Sequence, residues 1–76
     1  MTVMNRLRPG QRVELEGDPI GLTLTKRTGR VVREDDWEGY YIVRLDAPAL
    51  YRDATRKPLL EIREAEDNLH ALFEQR

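Results

Sequence analysis

Thr28-Gly29-Arg30-Val31-Val32-Arg33-Glu34, then Asp35-Asp36-Trp37-Glu38-Gly39, then Tyr40-Tyr41-Ile42-Val43-Arg44-Leu45-Asp46 is the stretch whose reading decides the fold. Its outer segments are dense in β-branched and aromatic residues, the types that fit a pleated, half-buried surface. The middle segment is polar and short enough to join antiparallel neighbours. In the second strand Tyr41, Val43 and Leu45 share one face, while Tyr40, Ile42 and Arg44 share the other. Asp46-Ala47-Pro48 is read as its end, because proline has no amide hydrogen for a ladder and restricts the residue before it.

Working outward, Gln11-Arg12-Val13-Glu14-Leu15-Glu16 alternates strictly, with Val13 and Leu15 on one face. Period two marks a strand with one buried side, and Pro9-Gly10 ahead of it is a turn signal. Gly17-Asp18-Pro19-Ile20-Gly21 is a loop, and Leu22 to Thr25 alternates again as a short irregular strand. Ala49 to Pro58 reads as a polar connection, and Leu59 to Arg63 as a further strand. The tail has two readings. Ile62, Ala65, Leu69 and Leu72 recur at helical spacing. With period two, Leu69, Ala71 and Phe73 instead make a closing strand entered through Glu66-Asp67-Asn68, and that strand would cover an otherwise open edge. The turn-and-strand reading is preferred, with a short C-terminal helical turn or helix as the alternative.

The chain has 76 residues, which suits one domain with a small core. Residues 1–8 read as a loose lead-in, from which Val3, Met4 and Leu7 could pack on the domain. Residues 9–73 are the domain and 74–76 a tail. The expected core is Val13, Leu15, Val31, Tyr41, Val43, Leu45, Ile62 and Leu69. With no cysteine and one histidine, neither disulfides nor a thiolate or histidine metal site is expected, and no cofactor is implied. The formal net charge of −1 lacks the basic excess typical of nucleic-acid binders. No segment approaches the roughly 20 apolar residues of a membrane span, so a cytoplasmic protein without membrane contact is expected.

The run Pro9-Gly10-x-x-Val13-x-Leu15, Thr28-Gly29-Arg30-Val31-Val32, Tyr40-Tyr41-Ile42-Val43-Arg44-Leu45-Asp46, with late Ile62 and Asp67-Asn68-Leu69, resembles the Src-homology-3-like small barrels. The resemblance spans roughly Pro9 to Leu72 and implies a mainly β, five-stranded antiparallel barrel. Through Gly10, Val13 and Gly29-x-Val31 it is similar to the KOW module, although spacing and charge depart from that pattern. Through Val43-Arg44-Leu45-Asp46-x-Pro48 it is similar to CAP-Gly domains, whose glycine-rich signature is absent. Barrels that serve as accessory subunits of larger enzymes look similar too. The fold does not fix what it binds.

Candidate sites follow from residue type. Glu34, Asp35, Asp36 and Glu38 crowd four carboxylates together, without the spacing of a calcium loop; they read as a solvated hairpin tip. Trp37 beside them suits a binding hot spot, with Tyr40 and Tyr51 completing a partner surface; alternatively Trp37 folds back over Val32 or Ile42. Lys26, Arg27, Arg30 and Arg33 could offer a phosphate-binding face with Tyr40 as a stacking ring, or could pair across strands with Glu14, Glu16 and Glu34. His70 has no partnered nucleophile. With no nucleophile elbow, phosphate loop or dinucleotide fingerprint, the chain is read as a non-enzyme. The expected role is a protein-interaction module or accessory subunit whose partner is another protein. The alternative is an RNA- or ribosome-associated binder of KOW-like type.

Overall fold

The long strand that carries Tyr41, Val43 and Leu45 inward organises everything around it. The computed structural model describes residues 7–53 and 55–73. These hold β1 (Arg12–Leu15), β2 (Leu22–Thr23), β3 (Thr28–Glu34), β4 (Tyr40–Tyr51), β5 (Leu59–Ala65), a single 3₁₀ turn (Glu66–Asn68) and β6 (Leu69–Ala71). All ladders are antiparallel. The order runs β5–β4–β3–β1–β6, with β2 paired to the far half of β4. β5 and β6 are not paired with each other, so the hydrogen-bonded sheet is open rather than a closed five-stranded barrel. The tail takes the turn-and-strand form, and no α-helix occurs among the described residues. Most of the lead-in, including Val3 and Met4, and the tail 74–76 lie outside the described residues; Leu7 packs against the core.

Alternation places the core. Val13, Leu15, Val31, Tyr41, Val43, Leu45, Ile62 and Leu69 are all buried, joined by Leu22 and Ala49. The last two come from a feature that the proline at 48 disguises. β4 does not stop at Asp46; it runs on to Tyr51. Between the pairs Arg44↔Glu61 and Ala49↔Leu59, β4 spends Leu45 to Pro48 against Leu60 alone. The chain arches there, so the missing proline donor falls where no ladder bond to β5 is required. Beyond the arch β4 takes β2 as a new neighbour, through Leu22↔Tyr51 and Thr23↔Leu50. Asp46 holds the arch down, accepting hydrogen bonds from Arg12 Nη1 at 2.9 Å and from Thr28 Oγ1.

β3 crosses β4 closely just below the arch. A Cβ at Gly29 would collide with the backbone carbonyl oxygen of Arg44 and lie 3.1 Å from Val43 Cγ1. Glycine is the residue that permits such backbone approach. One register shift, between Val31 and Arg33, sets Val32 outside the regular pairing and leaves it exposed. At the chain's other junction Asn68 bridges to the loop after β1, accepting from Gly17 N at 2.8 Å and donating to Gly17 O at 3.0 Å. That side-chain amide extends the β1–β6 ladder by one more pair of bonds.

Two outcomes follow. Gly29→Ala should cost about 2–3 kcal/mol by urea unfolding, the range of forced overpacking. Gly17→Ala should stay within about 1 kcal/mol of the parent, since a Cβ there meets only Asn68 Oδ1 at 3.7 Å. Separately, the hydrogen bonds from Arg12 and Thr28 hold Asp46 below its ordinary carboxylate range. A depressed folded-state pKa contributes stability that is complete above the unfolded value, about 3.9, and is lost as pH falls through the folded value. Asp46→Asn should therefore lower the urea midpoint at neutral pH, and the gap from wild type should close as pH drops below about 4.

Candidate functional site: an aromatic and ion-pair cluster on the outer sheet face

The face of β3–β4–β5 turned away from the core carries its own cluster. Arg33 and Arg63 both pair with Ile42, one from each side, so the three stand in a row across the sheet. One step along, Tyr40 pairs with Ala65, and Asp35 N donates to Tyr40 O at 2.9 Å. The turn Trp37-Glu38-Gly39-Tyr40 closes with Tyr40 N donating to Trp37 O at 3.1 Å. Its third residue, Gly39, has φ 83°, the left-handed conformation a type II turn requires. Gly39 O also accepts from Glu66 N at 2.8 Å, which ties the hairpin to the 3₁₀ turn.

Asp35 corrects the expectation of a fully solvated tip. Its carboxylate is only 3% exposed. Arg63 Nε lies 2.5 Å from its Oδ2 and Arg33 Nη1 lies 4.0 Å from Oδ1. Oδ2 has no aligned hydrogen bond among the described residues, so charge holds it. Asp36 and Glu38 remain exposed. Among the described residues no group of three or more His, Cys, Asp or Glu side chains is arranged to hold a metal ion.

Arg63 also spans to the aromatic ring above. Its guanidinium sits 4.1 Å from the Trp37 ring centroid, and Tyr40 meets Trp37 edge-on at 5.8 Å. A cation–π contact of this kind contributes about 0.5–1 kcal/mol at an exposed site. Trp37 nevertheless stays 58% exposed, so it does not lie folded away over the sheet. The result is a large apolar ring, presented to solvent and held from one side. Arg63 is the member of this cluster that sequence reading missed: its placement depends on β4–β5 register, which no local pattern encodes.

Other candidates are dispersed. Tyr51 is half-buried at the opposite end of β4, packed on the core beneath Arg56 at 5.3 Å, so it cannot join Trp37 and Tyr40. Eleven strand steps separate Tyr40 from Tyr51, roughly 35 Å if straight. The basic set is largely engaged. Arg27 donates to Glu16 O and pairs with Asp18 at 3.3 Å; Arg30 donates to Gly10 O at 2.9 Å; Arg33 donates to Glu34 O. Ion pairs between elements include Arg12 with Asp46, Arg44 with Glu61 across β4 and β5, and Arg63 with Asp35 in the turn after β3. Lys26 is exposed in the loop before β3. His70 lies 3.0 Å from Glu16 on the surface. A depression lined by Gly10, Gln11, Arg12, Arg30, Leu72 and Phe73 is wide open to solvent. No helix among the described residues is long and apolar enough to cross a membrane.

No protein-family model, curated protein or solved structure matches this chain.

Asp35→Asn should release Arg63 and loosen Trp37. The expected signs are faster indole motion in time-resolved fluorescence anisotropy and a loss of about 1–3 kcal/mol in urea unfolding.

Proposed function

We propose that this chain is a small, non-catalytic, cytoplasmic protein-interaction module or accessory subunit on a Src-homology-3-like scaffold, with Trp37 and Tyr40 as its contact surface. The scaffold reading draws support from the strand order, in which β1 lies between β3 and β6, and from the 3₁₀ turn that leads into the last strand. One observation carries the contact reading. Trp37 is more than half exposed yet pinned by Arg63, whose own charge is matched by buried Asp35. An aromatic ring fixed before binding loses little conformational freedom on docking, which is what makes tryptophan effective at interfaces. Tyr51 drops out of the surface because it sits at the other end of β4. The nucleic-acid reading has less support, since Arg27, Arg30 and Arg33 already have partners.

Affinity capture with wild type and Trp37→Ala, followed by mass-spectrometric identification, tests the proposal. A protein partner retained by wild type and lost by the variant, at unchanged far-ultraviolet dichroism, is the expected result. Unchanged capture overturns it. Salt-sensitive oligonucleotide binding that shifts the amides of Lys26 to Arg33 would favour the RNA-binding alternative instead.

A further inference from the structure

The two ends of β4 carry opposite charge. At the Tyr40 end, residues 33–39 and 63–67 hold Arg33 and Arg63 against Glu34, Asp35, Asp36, Glu38, Glu64, Glu66 and Asp67. Two arginines against seven carboxylates leave five net negative charges. At the Tyr51 end, residues 52–57 bring Arg52, Arg56 and Lys57 against Asp53. Asp53 Oδ1 is occupied by Thr55 N at 3.0 Å and Thr55 Oγ1 at 2.8 Å, and among the described residues neither Arg52 nor Lys57 has an acidic partner. The hydrogen bond from Glu66 N to Gly39 O gathers the acidic segments at one end, and antiparallel pairing with β5 puts Arg52, Asp53 and residues 55–58 at the other.

Each end also presents an apolar surface. Trp37 and Tyr40 stand at the acidic end. At the basic end Ala49 and Leu59 point inward as a pair, so Leu50 and Leu60 turn outward as diagonal neighbours, 46% and 41% exposed. Arg52 N donates to Gly21 O at 3.1 Å, and Ile20, the residue before Gly21, is fully exposed. An apolar patch rimmed by cations at one end therefore complements an aromatic patch rimmed by carboxylates at the other.

We infer that the Leu50–Leu60 face is a docking site for the acidic Trp37 end of a second copy of this chain. The inference rests on Trp37 and Tyr40 forming a contact surface, as proposed above. Charge restricts how copies can meet. Like ends repel, so each contact sets the acidic end of one copy against the basic end of another, reciprocally in an antiparallel two-fold dimer or as a heterologous contact. The heterologous form leaves one free end of each kind and propagates head to tail. Screening weakens it, because the Debye length is about 8 Å at 0.15 M salt.

Sedimentation of the full chain tests this directly. In low salt the weight-average mass should climb with concentration past the 8.9 kDa monomer, and added salt should return it to monomer. Two end-blocked variants sharpen the test: Arg52→Gln with Lys57→Gln, and Asp36→Asn with Trp37→Ala and Glu38→Gln. Each alone should remain monomeric, whereas their mixture should double in mass and stop there, having one intact contact. A wild type that stays monomeric overturns the inference and leaves the Trp37 reading standing. Association that both variants retain, or that salt strengthens, overturns it too. Binding of monomeric wild type to anionic vesicles or an oligonucleotide through Arg52 to Lys57 would assign the basic end to another partner. Unchanged lysate capture by Trp37→Ala alone would instead sink the earlier proposal, whatever the mass.

Discussion

β4 can serve three neighbours because β3 lies against it with no side chain at position 29. The gap between Gly29 and the Arg44 carbonyl leaves no room for a methyl group. That approach brings Val31 opposite Val43 and presses the inward faces of both strands into one core. Just past it β4 arches, drops its pairing with β5 for Leu45 to Pro48, and resumes with Ala49 buried. A larger residue at 29 would push the strands apart where the arch must form. Burial of Leu22, which pairs with the far half of β4, depends on the same geometry.

The outer face depends on the arrangement the inner face creates. Once Val43 and Ile62 are paired inward, Ile42 and Arg63 must pair outward, with Arg33 on the other side of Ile42. Two arginines then converge on Asp35, and one continues to the indole of Trp37. Each arginine is half-exposed, so water shares their charge and the pairing adds modest stability. Its main effect is orientation. The cluster holds a bulky ring at the surface of the domain.

The strands were legible because their side chains alternate. Val13 and Leu15, then Tyr41, Val43 and Leu45, mark a buried face by themselves, and every core residue expected from that pattern is buried. The closing turn and strand were legible for the same reason, through Leu69 after Glu66-Asp67-Asn68. Continuation of β4 past Pro48 was not. Proline signals a missing donor, and only the tertiary pairing shows that no ladder bond was wanted there. Burial of Asp35 was hidden likewise, since its cover comes from Arg63 on another strand. Separation of Tyr51 from Trp37 followed from the unexpected length of β4, and closure of the sheet was not realised in its hydrogen bonding.

β1 is hemmed between β3 and β6, and β6 follows all five other described strands in chain order. Val13 waits for Ala71, and the Asn68 amide clasps Gly17 across a sequence gap of 51 residues. During synthesis from the amino end, the β3–β4–β5 meander can form early from local contacts, while β1 keeps one flank uncovered. Native structure therefore locks only once β6 has been made, and a nascent chain halted before Leu69 would carry an unsatisfied strand edge into the crowded cell.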